Sequence, residues 1–180
     1  MKGYLIFIPN LISITRIILV YPILINFYNG HFFWSLSFFI LASFSDALDG
    51  YLARTFNWQT ELGKILDPIA DKILVAAALI LLVMNGTIKN YEVIAAIIIL
   101  TREILISGLR EFLAKGQISM EVTSLSKLKT FIQMVSIAIL LTGESGNKII
   151  NFQDYNAQTI GIILLWLSAA LTLFTAYDYM

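Results

Sequence analysis

The sequence predicts an all-α, polytopic membrane protein with six transmembrane helices, in one domain covering residues 1–180. Three observations predict it. Hydrophobic residues make up 58% of the chain and charged residues 13%, roughly half the charge of an average soluble domain. Mean hydropathy is +0.81. The apolar runs approach the ~20 residues a helix needs to cross the hydrocarbon core, and they do not alternate as barrel strands would. A net charge of zero provides no basic surface, so no nucleic acid is expected as a partner. With no cysteine and a single histidine, His31, thiolate zinc sites and disulfides are excluded.

Breaker clusters delimit the helices in order. The first runs from Pro9-Asn10, with Asn10 as N-cap, to Asn29-Gly30. Its leader, MKGYLIFIPNLISITRIIL, lacks a small-residue cleavage site before polar sequence, so it reads as a retained helix and not a signal peptide. The second runs from Phe32 to about Arg54, before the polar Asn57-Trp58-Gln59-Thr60. A third begins near Glu61 and stops at Asn85-Gly86; the fourth covers Tyr91 to about Lys115. Leu125 to about Thr142 forms the fifth, and Ala157 to Tyr177, after GESGNKIINFQD, the sixth. Lys2, Arg54, Lys64, Arg110, Lys115, Lys127 and Lys129 fall toward one side of this arrangement, and only His31, Lys89 and Lys148 toward the other. The excess of cations marks the cytoplasmic side and places both termini there. Trp34, Trp58 and Trp166 read as interface anchors and packing.

Four aspartates interrupt this apolar chain. Asp46 and Asp49 are three residues apart, Asp67 and Asp71 four apart, and either spacing puts both side chains on one helix face. The turn between the two helices centres near Trp58, so Asp49 and Asp67 each lie nine residues from it. At 1.5 Å per residue both sit roughly 13 Å below the turn. The two pairs should therefore meet at one depth, just inside the cytoplasmic face.

Converging carboxylates repel one another, and each costs roughly 2.5–3.5 kcal/mol at the centre of a membrane helix, less near an interface. Arg54 and Lys72 are too few to neutralise four anions. Two divalent cations match the charge, and Mg²⁺, Mn²⁺ and Ca²⁺ prefer carboxylate oxygens. Such a metal pair suits phosphoryl chemistry, because it stabilises both the entering and the leaving oxygen. Gly50 and Gly63 would let a bulky ligand approach the backbone, or else serve close helix packing. Ala53 lies one turn beyond, and Arg54 is placed to grip a phosphate or a base edge. The competing explanations are carboxylates paired with lysines inside a bundle, or a cation transporter that uses them as a relay.

The pattern Asp46-x2-Asp49-Gly50-x2-Ala53-Arg54-x8-Gly63-x3-Asp67-x3-Asp71 resembles the signature of the CDP-alcohol phosphatidyltransferases at eight positions over 26 residues. Pro9-Asn10 followed by Ser13, Thr15 and Arg16 is similar to the first-helix motif of that family. TREILISGLREFLAKG and SLSKLKTFIQM resemble its phosphatidylglycerophosphate synthase branch, with Ser126 standing before Lys127 where the branch commonly has glycine. The resemblance implies a six-helix fold, a homodimer, and an active site open to the cytoplasmic face of the cell (inner) membrane. It implies that a phosphatidyl group passes from CDP-diacylglycerol to an alcohol with release of CMP, the alcohol here being sn-glycerol 3-phosphate. Inositol phosphate, serine or phosphatidylglycerol are the alternative acceptors. By resemblance, Asp46, Asp49, Asp67 and Asp71 hold two Mg²⁺ or Mn²⁺ ions, and Asp71 doubles as general base. Gly50, Ala53, Arg54 and Gly63 would line the cytidine diphosphate site.

An alcohol needs a base to take its proton as it attacks. No serine, cysteine or histidine stands out as a covalent nucleophile, so direct displacement is expected. Arg102 and Arg110, about two helical turns apart, share a face, and Lys127 and Lys129 begin the next span. This second basic cluster is expected to bind the acceptor's own phosphate. Equally, such cations occur at cytoplasmic span ends anyway, and Arg102 has Glu103 and Glu111 nearby as potential partners.

Overall fold

A computed structural model describes residues 8–56, 61–116, 124–149, 151–152 and 155–177. The described residues form seven helices and one two-residue hairpin. In chain order these are α1 (Ile8–Tyr28), α2 (Phe32–Phe56), α3 (Glu61–Met84), α4 (Glu92–Lys115), α5 (Ser124–Leu141), α6 (Gly143–Ile149), β1 (Asn151–Phe152), β2 (Tyr155–Asn156) and α7 (Ala157–Tyr177). The six long helices fall where the breaker clusters put them. Two compact groups are distinguished, Met1–Leu81 and Leu82–Met180, with the boundary inside α3.

In the first group, α1 and α2 pack along each other. The buried stripe of α1 is Ser13, Arg16, Ile23 and Phe27, and that of α2 is Ser35, Phe39 and Ala42, both following the three-or-four-residue helical repeat. The Ser35 hydroxyl donates to the Ile23 carbonyl at 3.0 Å, and the Phe27 and Phe32 rings meet edge-on with centroids 5.2 Å apart. Between them the chain reverses at Gly30, whose φ of +76° only glycine adopts freely. The His31 amide donates to the Asn26 carbonyl and the Gly30 amide to that of Phe27, which closes the helix end as a Schellman motif. Gly86, with φ +72°, ends α3 in the same way, through Thr87 to Leu82 and Gly86 to Val83.

In the second group, α7 packs against α4 and α5. Ser136 donates to the Gly161 carbonyl at 2.7 Å, and a Cβ on Gly161 would lie 2.7 Å from the Leu140 side chain. That glycine is what lets α5 and α7 approach so closely. Asn156 caps α7, its Oδ1 accepting from the Thr159 amide at 2.9 Å. The stretch GESGNKIINFQD is not plain loop, because α6 and the hairpin pairing Asn151 with Asn156 occupy part of it. Asn10 differs from expectation too: it is helical and buried in α1, two residues after the helix start, and so is not an N-cap.

Many large apolar side chains lie on the surface. Leu11, Ile14, Ile18, Tyr21, Ile25 and Tyr28 form one exposed apolar stripe along α1, while Arg16, Arg102, Lys129 and Gln133 are buried. Large apolar side chains outside, with charged and polar groups buried among the apolar core, is the pattern of a membrane protein, whose helices face lipid and satisfy polar groups against each other. Among the described residues, Asn10–Tyr28, Ser124–Leu141 and Ala157–Thr175 are long and apolar enough to cross a bilayer. Charged side chains set α3 and α4 apart from these three: Asp67, Asp71 and Lys72 in the former, Arg102, Glu103 and Arg110 in the latter.

Candidate active site

The acidic site is built in the first group. Asp67 and Asp71 lie one turn apart in α3, both half-buried, on the face that also carries buried Gly63, Ala70 and Leu74. Spacings of three, four and seven residues put these positions on one side of the helix, so the carboxylates point along the packed face and away from the exposed Ile65, Ile69 and Ile73. The Ser13 hydroxyl, fully buried in α1, donates to Asp67 Oδ1 at 2.5 Å. Arg16, one turn further along α1, is also fully buried. Asp46, Asp49, Gly50, Ala53 and Arg54 all belong to α2, and their side chains lie outside the described residues, as do Lys2, Trp58 and the Lys64 side chain. Among the described residues alone, no three acidic or histidine side chains form a metal-sized group. The two carboxylates that are described, Asp67 and Asp71, offer the hard oxygen ligands that suit Mg²⁺ or Mn²⁺. They fit such an ion.

The basic cluster belongs to the second group, and the structure divides it. Arg110 and Lys127 are exposed. Lys129 is 2% exposed and forms an ion pair with Glu103, whose side chain is 24% exposed. Arg102 is 8% exposed and donates from Nη2 to Thr175 Oγ1 at 3.0 Å. Glu103 therefore partners Lys129, not its sequence neighbour Arg102. Successive residues of a helix point about 100° apart, so Arg102 is turned to α7 while Glu103 is turned to α5. The sequence did carry a trace of this arrangement. Lys129, Gln133 and Ser136 repeat at four and three residues along α5, and all three are buried. Ser13 was legible only as part of a motif, since a lone serine in an apolar helix carries no sign of its partner 54 residues away.

Comparison with known proteins points the same way. Residues 6–174 match the family model described as CDP-alcohol phosphatidyltransferase. The chain is 43% identical to the CDP-diacylglycerol–glycerol-3-phosphate 3-phosphatidyltransferase of Rickettsia typhi, over 96% of this chain and 94% of that protein. It is 38% identical to the protein of the same name from Haemophilus influenzae, over 96% of this chain and 91% of the other. The corresponding protein of Cereibacter sphaeroides is 33% identical, over 96% and 93%. With the aspartate spacing, the helix order and these full-length matches in agreement, the chain belongs to the CDP-alcohol phosphatidyltransferase family.

Proposed function

We propose that this membrane protein transfers the phosphatidyl group of CDP-diacylglycerol to sn-glycerol 3-phosphate, giving phosphatidylglycerol phosphate and CMP. The observation that carries this is the similarity, at 33–43% identity and over 96% of the chain, to enzymes named for that reaction. The reading takes residues 1–180 as one catalytic domain with six spans, acting as a homodimer in the cell (inner) membrane with termini and active site cytoplasmic. The basic residues at one set of helix ends support that orientation.

Asp46, Asp49, Asp67 and Asp71 would hold two Mg²⁺ or Mn²⁺ ions. When bound, these ions supply charge neutralisation for the pyrophosphate and for departing CMP. The protein's own groups do the rest. Gly50, Ala53, Arg54 and Gly63 orient the cytidine diphosphate. The acceptor's hydroxyl oxygen attacks the phosphorus that bears diacylglycerol, and the bond from that phosphorus to the CMP oxygen breaks with its electron pair. The hydroxyl proton passes to Asp71, which is half-buried one turn beyond Asp67. No covalent enzyme intermediate is formed. Arg110 and Lys127, both exposed, bind the acceptor's phosphate; Lys129 and Arg102, buried and already engaged, contribute through the packing of α4, α5 and α7.

The test is incorporation of radiolabelled sn-glycerol 3-phosphate into lipid by the purified protein, with Mg²⁺, Mn²⁺ and EDTA compared. Metal-dependent incorporation with stoichiometric CMP release is expected. Incorporation that is undiminished in EDTA refutes the metal assignment, and no incorporation with either metal refutes the reaction.

A further inference from the structure

We infer that Ser13 is a positioning residue for Asp67, fixing the plane of that carboxylate so that it is ready to bind a divalent cation. The inference rests on the metal reading above and extends it to a hydroxyl on a different helix. Serine and threonine in the helices of this protein mostly bond back to their own helix. Thr15 donates to the Leu11 carbonyl, Ser37 to Phe33, Ser43 to Phe39 and Thr130 to Ser126, each four residues back. Ser13 instead reaches across to Asp67, 54 residues on, at 2.5 Å and with no exposure to solvent.

That choice has a consequence for the carboxylate. The final torsion of an aspartate side chain is broad and roughly two-fold, so its plane turns easily unless something holds it. One hydroxyl proton occupies one acceptor position on Oδ1, and a carboxylate offers about four. The bond is charge-assisted, which makes it short and about twice as strong as a neutral one. Asp67 is thereby held in one orientation while lone pairs remain for a metal. Outer partners of this kind orient metal ligands, and their loss typically costs about 10–100-fold in metal affinity.

The experiment is a Mn²⁺ titration of the full-length protein in detergent, reading free Mn²⁺ by electron paramagnetic resonance, for the parent, Ser13→Ala, Ser13→Thr and Asp67→Asn. Unfolding of each without metal is followed alongside. Ser13→Ala should weaken Mn²⁺ binding by about 10-fold or more, keep its metal-free stability, and recover turnover at saturating Mn²⁺. Ser13→Thr, which keeps the hydroxyl, should bind within about threefold of the parent. Binding by Ser13→Ala within about twofold of the parent overturns the role of Ser13 alone. A Ser13→Ala protein that is unstable without metal and is not matched by recovery in Ser13→Thr shows a packing role and also overturns it. If the parent binds no Mn²⁺, or Asp67→Asn binds it undiminished, the metal reading falls and this inference with it.

Discussion

The partly buried pair Glu103–Lys129 makes a quantitative prediction about how the α4–α5 contact is held. Lys129 is 2% exposed and Glu103 24%, so the two partners are not equivalent. Glu103→Gln would remove the negative charge facing an ammonium with almost no access to water, and taking one partner from a buried pair costs about 3–5 kcal/mol. Lys129→Met would strand a carboxylate that keeps a quarter of its exposure, so the loss should be smaller, about 2–3 kcal/mol. The double variant removes both charges and fills the space with side chains of similar size, so it should lie within about 1 kcal/mol of the parent. The coupling between the positions is then about 4 kcal/mol or more, well beyond the ~0.5 kcal/mol expected of independent sites. Reversible unfolding of the four proteins in mixed micelles with increasing SDS measures it. A coupling below ~0.5 kcal/mol, or Lys129→Met costing more than Glu103→Gln, would falsify the account.

Other changes test separate parts of the structure. Gly161→Ala puts a Cβ 2.7 Å from Leu140 and should destabilise the protein by about 1–3 kcal/mol through overpacking; thermal unfolding in detergent at the parent's midpoint refutes the close α5–α7 contact. Asp71→Asn should lower kcat by about 10²-fold or more through loss of the base, and single-turnover CMP release at the parental rate removes Asp71 from that role. Arg110→Ala should raise KM for sn-glycerol 3-phosphate about 10-fold, as loss of a charged hydrogen bond of ~1.5 kcal/mol implies, while KM for CDP-diacylglycerol barely moves. Equal effects on both substrates count against phosphate binding at Arg110.

Helix positions were legible because they are local properties. Asn29-Gly30 and Asn85-Gly86 stop helices through glycines that take positive φ, and the apolar runs between breakers have the length a bilayer demands. The one-sided placement of Asp67 and Asp71 was legible for the same reason, since a four-residue spacing fixes a shared face whatever surrounds it. Asn10 shows the limit: a residue with capping chemistry was helical and buried instead, because local preference yields to the helix it adjoins. So does GESGNKIINFQD, whose polar composition gave no sign of α6 or of the Asn151–Asn156 pairing.

By itself, then, the sequence determined that the chain is a helical membrane protein, where its long helices lie, and which acidic residues share a face. Tertiary structure alone decided which groups meet: Ser13 with Asp67, Arg102 with Thr175, and Glu103 with Lys129 instead of with its neighbour. The physical reason is separation along the chain. Partners 26, 54 and 73 residues apart are chosen by the rotation and approach of whole helices, which no periodicity within a single helix encodes.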